Sequence, residues 1–183
     1  MTTKSQATIE DLYNVPENKK AEIVNGELKL MAPTGFWPNR ASFNVTASLR
    51  EYEGRAKSGF AVSDNAGFKV TLPNRESFSP DAAFYTGKPT GMKFLEGAPV
   101  FAVEIRSEND YGPAAEKERA DKRADYFAAG AAIVWDIDLI GDDVVKSYYA
   151  GDPYNPKIFR RGEVADAEPA LPGWRMPVDD LFA

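Results

Sequence analysis

The stretch 79–130 opens S-P-D-A-A-F-Y (79–85), continues through P-V-F-A-V-E-I-R-S (99–107) and closes on K-R-A-D-Y-F-A-A-G (122–130). Ala82 to Tyr85 reads as a buried strand. Val100 to Ile105 is apolar throughout except for Glu104, the pattern of a strand covered on both faces. A carboxylate in such a run is unfavourable to bury unless it is paired or metal-bound. Pro113 suits the first position of a helix that runs to Ala129, with Gly130 closing it. Successive helical residues are about 100° apart, which puts Ala115, Lys122, Tyr126 and Ala129 on one narrow stripe. Two strand carboxylates, Asp81 and Glu104, are therefore followed by a helix lysine that is able to reach back across the sheet. That is the minimum equipment for metal-assisted hydrolysis of a phosphodiester. In a strand the side-chain period is two, so Arg106 shares a face with Glu104 as a second cation.

Composition narrows the chemistry. The chain of 183 residues suits one domain, 1–183, large enough for a real core. With 43% hydrophobic and 27% charged residues it reads as a soluble globular protein. No apolar run approaches the roughly 18–20 residues of a membrane span. The N-terminal M-T-T-K-S-Q-A-T has no apolar core of a secretory signal, so a cytoplasmic location is expected. Cysteine and histidine are both absent. Disulfides, thiolate zinc sites and every Ser-His-Asp or Cys-His mechanism are thereby excluded. A bound metal has to be held by oxygen, which favours Mg²⁺, Mn²⁺ or Ca²⁺. The net charge of −6 argues against tight nonspecific DNA binding but leaves room for a local basic cleft.

Around this stretch the chain alternates helices and strands. Thr8 to Tyr13 predicts a short helix with a threonine N-cap, stopped by Pro16. Asn25-Gly26 between alternating apolar runs predicts a hairpin with strands at 22–24 and 27–31. Asn39 to Lys57 is expected to be a helix with Gly59 beyond its end. Phe60 to Val62 and Phe68 to Leu72 are strand-like, and P-N-R-E-S (73–77) is expected as a loop. The Gly- and Pro-rich stretch from Thr86 to Pro99 reads as a long connection. Ile133 to Asp138, Val144 to Ala150 and Lys157 to Arg161 are further strands, and a turn and short helix end the chain. Asp136 and Asp138 alternate on one strand face and read as surface acids. Trp37 and Trp174 read as core or loop packing.

The residues now match a family. E-I-V-N-G-E-L (22–28), P-D (80–81), V-E-I-R-S (103–107), K-x-x-x-Y-x-x-x-G (122–130), V-W-D-I-D (134–138) and L-P-G (171–173) occur in one order. In that order the chain resembles the bacterial "putative restriction endonuclease" domain family of unknown function, within the PD-(D/E)XK restriction-endonuclease-like superfamily. The resemblance implies an α/β fold with a central mixed β-sheet flanked by α-helices. It makes Asp81 the aspartate of the "PD" element and Glu104 the acid of the E-x-K element. It maps the lysine onto Lys122 of the following helix and the N-terminal acid onto Glu22. The sequence departs from the pattern at four places. Arg106 stands where E-x-K has lysine, and arginine does not give up its proton. F-W-P-N-R (36–40) lacks the histidine common after the P-T-G loop. Arg123 replaces an apolar residue, and E-N-D (108–110) replaces P-S-D.

The expected function is a metal-dependent endonuclease hydrolysing nucleic-acid phosphodiester bonds, DNA being the expected substrate. Asp81 and Glu104 would hold one or two Mg²⁺ (or Mn²⁺), with Glu22 completing the shell directly or through water. Lys122 would orient the attacking water or stabilise charge on the phosphoryl oxygens. A homodimer fits the superfamily's habit of cutting duplex DNA as two-fold pairs. No membrane partner is expected. The alternative is a catalytically decayed nuclease-like fold that serves as a protein- or nucleic-acid-binding module. Each residue also has a plainer reading: Asp81 as a turn acid, Glu104 in a structural ion pair, Lys122 as a solvated helix lysine, Glu22 as an exposed strand charge.

Overall fold

Local chemistry sets the first elements. Thr8 caps helix α1 (Ile9–Tyr13), its hydroxyl accepting from the Asp11 N–H while Asp11 accepts from the Thr8 N–H at 2.7 Å. The capping box satisfies two amides that an isolated turn would leave unpaired. Strands β1 (Ala21–Val24) and β2 (Glu27–Leu30) pair antiparallel around Asn25 and Gly26. Those two residues have φ of 52° and 73°, the left-handed values that this tight turn demands. The structure, a computed structural model, describes residues 6–15 and 19–183. Pro16, the expected stop of the first helix, lies outside the described residues, as do the first five residues of the N-terminal stretch.

Helix α2 (Phe36–Ala56) begins before the expected Asn39, because Pro38 still lies in the first turn, where no intrahelical amide is lost. Lys57 ends it in a left-handed conformation. Gly59 therefore has a different task from closing the helix. A Cβ there would lie 2.5 Å from the Tyr85 carbonyl oxygen, so only glycine allows this close approach. Trp37 is 52% exposed on the helix, edge-on to Phe36, and so packs into no core. Trp174, by contrast, is fully buried against Trp135 and Phe101.

The remaining strands are β3 (Phe60–Ser63), β4 (Phe68–Leu72), β5 (Arg75–Phe78), β6 (Ala82–Tyr85), β7 (Leu95–Glu96) and β8 (Phe101–Ile105). Helix α3 (Pro113–Ala128) follows, then β9 (Ile133–Ile137), β10 (Val145–Tyr149), β11 (Asp152–Phe159), β12 (Val164–Asp166) and β13 (Arg175–Pro177). A 3-10 helix, Val178–Phe182, ends the chain. Segment 73–77, expected as a loop, is a turn of Pro73-Asn74 followed by strand β5. Its Arg75 is buried and ion-paired. Strand β11 starts five residues before the expected Lys157, with a register shift against β10. The Thr86–Pro99 connection contributes the short strand β7, parallel to β4.

The strands form a six-stranded sheet, β11-β10-β9-β8-β6-β3, and a five-stranded sheet, β2-β1-β5-β4-β7; β12 and β13 form a separate pair. The larger sheet is mixed: β8 and β9 run parallel, joined by the crossover helix α3, and its other pairs are antiparallel. One face buries Phe84, Phe101, Val103, Ile133 and Trp135 beneath α2 and the C-terminal segment. The opposite face buries Ala83, Ala102 and Val134 with Tyr126 of α3 and Phe78 of the smaller sheet. Both faces of β8 are thus covered, as its apolar run implied. The central mixed sheet flanked by helices is the expected architecture, with a second sheet beside it. Among the described residues no helix is long and apolar enough to cross a membrane.

Candidate functional site

Strand register brings the acids together. Ala82 faces Val103 and Ala83 faces Ala102, so the neighbouring residues Asp81 and Glu104 face one another on the side covered by α3. Side chains opposed in this way have Cβ atoms roughly 4.5–5.5 Å apart. Asp81 Oδ2 accepts the Ile105 N–H at 2.7 Å, and the Ser42 hydroxyl donates to the Asp81 carbonyl at 2.5 Å. Burial and the Glu104 charge push the Asp81 carboxyl up, against the opposing pull of Lys20 and the Ile105 amide.

Helix α3 delivers the cation. Lys122 Nζ lies 2.9 Å from the Glu104 carboxylate and 2.9 Å from Glu22 Oε1. One turn on, the Tyr126 hydroxyl donates to Glu104 Oε1 at 2.6 Å, its ring stacked on Phe78 at 4.0 Å. Burial opposes ionisation of Glu104, but Lys122, Lys20 and the Tyr126 hydroxyl outweigh it and hold the carboxyl below its usual range. Burial likewise disfavours the Lys122 ammonium, yet Glu104 and Glu22 hold its pKa above the ordinary lysine value. Lys122 is therefore held as an ammonium by its two carboxylate partners.

Glu22 is buried, at 2% exposure, rather than an exposed hairpin charge. Its Oε1 accepts the Ser79 N–H at 2.8 Å and its Oε2 accepts Arg75 at 2.7 Å. Arg75 in turn donates to Asp125 at 2.8 Å, and Asn74 donates to the same carboxylate at 2.9 Å. This chain of ion pairs ties the first hairpin and β5 to α3, and so fixes the height of Lys122 over the sheet. Among the described residues no three acidic side chains group closely enough to hold a metal by themselves. The physical reason is visible: Lys122 stands between Glu22 and Glu104, and Lys20 stands at Asp81.

Lys20 is the residue that sequence reasoning missed. Its Nζ lies 3.0 Å from Asp81 Oδ1 and 2.6 Å from Asp64 Oδ1. Burial disfavours its ammonium, but Asp81, Glu104 and Asp64 together raise its pKa. Nothing in the local sequence marks it, because its partners lie far along the chain. Tyr126 stood on the expected helix stripe without a role; its acceptor is Glu104.

Asp136 corrects a reading from sequence. It is buried, at 3% exposure, and not a surface acid. Arg106 donates to it through Nε and Nη2 at 3.0 Å each, and Arg119 Nη2 donates at 2.6 Å. Burial works against the Asp136 charge, and the two guanidinium groups hold its carboxyl below the usual range. Arg106, at the E-x-K lysine place, is thus committed to Asp136 and to Glu116. Arg123 stacks over Tyr148 at 3.7 Å, which accounts for a cation where an apolar residue was expected. Asp138 accepts from Tyr111 and from the Ile140 and Gly141 amides, as a turn acid would. Asp110 caps the loop after β8, accepting the Ser107 N–H at 2.7 Å.

Asp81, Glu104, Glu22 and Lys122 all open onto one cleft of about 800 Å³, which Lys20, Lys29 and Arg119 also line. Lysines and arginines match the acids of its wall in number, although the whole chain carries −6. The cleft is therefore far less repulsive to a polyanion than the rest of the surface.

A solved structure, described as that of "a putative nuclease belonging to DUF820 from Anabaena variabilis ATCC 29413", superimposes with a TM-score of 0.74. The match covers 96% of this chain and 97% of the other at 14% identity, a likeness of fold. No curated protein matches the chain. The family model Uma2, described as "Putative restriction endonuclease", matches residues 7–179, which includes every element that builds the cleft. The chain belongs to this nuclease-like family.

Proposed function

We propose that the chain is a metal-dependent endonuclease that hydrolyses phosphodiester bonds in nucleic acid, DNA being the substrate. The observation that carries this reading is the convergence of Asp81, at the entry to β6, and Glu104 of the adjacent β8 with Lys122, held charged, 2.9 Å from Glu104. The donor set fits Mg²⁺ or Mn²⁺. Both acids are hard oxygen donors, and Mg²⁺ is commonly bound through one or two carboxylates plus substrate phosphate and water. The paired acids already draw an ammonium, that of Lys20, to Asp81. Asp81 and Glu104 would hold the ion, with Glu22 reaching it through water. When bound, such an ion polarises the scissile phosphoryl group and makes water beside it more acidic.

The protein's own groups do the rest. Tyr126 fixes one oxygen of Glu104 and so orients the carboxylate. Lys122 supplies a permanent charge for the phosphoryl oxygens as negative charge builds on them in the transition state. Glu22, Arg75 and Asp125 hold that lysine in place before substrate arrives, so little reorganisation is needed during reaction. The chain has no histidine to accept a proton from the attacking water.

A plasmid-nicking assay with and without Mg²⁺ tests this. Asp81→Asn and Glu104→Gln should each lower cleavage by about a thousandfold or more, the upper range for losing one transition-state stabiliser. Cleavage that survives both changes together overturns the assignment. A second reading, a nuclease-like fold kept as a binding module, is favoured by one observation: each acid of the cluster already faces a lysine or arginine. DNA binding with no cleavage at any Mg²⁺ or Mn²⁺ concentration would support it.

A further inference from the structure

We propose that Lys20 is a resident counter-cation of the carboxylate pair, which exchanges with the divalent ion by withdrawing from Asp81 onto Asp64. The inference rests on the metal-dependent reading of the same site. Lys20 bridges an inner and an outer acid. Asp81 Oδ1 lies 3.0 Å from its Nζ, and Asp64 Oδ1 lies closer, at 2.6 Å. Asp81 is 24% exposed and faces Glu104, whereas Asp64 is 37% exposed at the end of β3. Asp64 is held ready, its Oδ1 also accepting the Asn65 N–H at 2.7 Å.

Two cations do not share Asp81 Oδ1. A divalent ion at the usual distance of about 2.0–2.1 Å from a carboxylate oxygen would stand within a few ångströms of the ammonium. In a partly buried site that repulsion is only weakly screened. Lysine carries its charge on a flexible four-carbon stem. A small rotation lets Lys20 release Asp81 and keep Asp64. Before the ion binds, Lys20 offsets the repulsion between Asp81 and Glu104. Afterwards it remains at the cleft wall as a cation for the substrate's phosphates.

Calorimetric titration with Mn²⁺ alone, at one pH, tests the exchange in the full chain. Lys20→Met should bind Mn²⁺ about tenfold more tightly than wild type, a coupling typical of charges sharing one partner. Asp64→Asn should bind several-fold more weakly, because Lys20 then has Asp81 as its remaining carboxylate contact. In the Lys20→Met background, Asp64→Asn should change the affinity little. Circular dichroism checks that each variant is folded; if Lys20→Met is not, Lys20→Gln carries the same expectation. Mn²⁺ affinity in the lysine variant equal to or below wild type overturns the exchange. An Asp64→Asn effect of the same size in both backgrounds also overturns it, since Asp64 would then act only as a distant charge. Absence of Mn²⁺ binding in wild type and lysine variant alike overturns the metal reading itself, and the exchange with it.

Discussion

Glu104 and Asp136 are neighbours in one row of the central sheet, paired across the parallel strands β8 and β9, yet they live in opposite electrostatic worlds. Asp136 is clamped by two guanidinium groups whose planar forks occupy both of its oxygens. Arginine stays charged at any pH the fold survives, and its bidentate geometry is rigid. Glu104 meets a lysine and a phenol instead, and it lines the open cleft. Lysine is a compact charge on a flexible stem, so its carboxylate partner stays open to other cations. The row thus divides in two: Asp136 ties α3 to β9, and Glu104 faces the open cleft. Acidic side chains in identical strand positions are separated in role by the type of cation the helix sends to each.

The largest test of this division is Asp136→Ala. It leaves Arg106 and Arg119 partly buried without their shared partner, and breaking a buried pair in this way removes about 3–5 kcal/mol of stability. Urea unfolding measures it, and a loss below about 1 kcal/mol, the ceiling for exposed pairs, would show that the clamp is not structural. Next in size is Lys122→Met, expected to lower Mg²⁺-dependent cleavage about a hundredfold, roughly 2.7 kcal/mol of transition-state stabilisation. Unchanged cleavage in that variant would erase the distinction between the two acids.

The smallest effect is on the pH dependence of stability. The folded pKa values of Glu104 and Asp136 are both depressed. Their contributions are present above the ordinary carboxylate values and are lost as the pH falls through the folded ones. Asp81 runs the other way: its pKa is raised, so its contribution is present at low pH and lost as the pH rises through the folded value. Urea midpoints measured between about pH 6 and pH 3 should fall more steeply for wild type than for Asp136→Asn. Parallel curves would show that Arg106 and Arg119 do not depress the Asp136 pKa.

The hairpin at Asn25-Gly26, the capped first helix, the buried strand β8 and the helix that begins at Pro113 were all legible, because each follows from local backbone preference or periodicity. So was the placing of Asp81 and Glu104 at two strands, whereas their shared face needed the register of β6 on β8. Arg75 and Asp136 were not. Each is a charge that reads as solvent-exposed in its own segment and is buried by partners 50 or 17 positions away. Segment 73–77 reads as a loop from its own residues and is a turn followed by β5. Lys20 gave no signal at all, since neither of its acids lies near it in sequence.

The absence of cysteine and histidine, read from composition alone, determined that any metal site here is built from oxygen. The order of the motifs determined the family and the helix on which the cation rides. Tertiary structure decided which charges are neutralised and by what. Ion pairs between distant segments depend on where strands and helices meet, and Coulomb energies in a half-buried cleft depend on separations that no local pattern records. Through those contacts Arg106 was drawn away to Asp136, Glu22 became the anchor of Lys122, and Lys20 came to stand at Asp81.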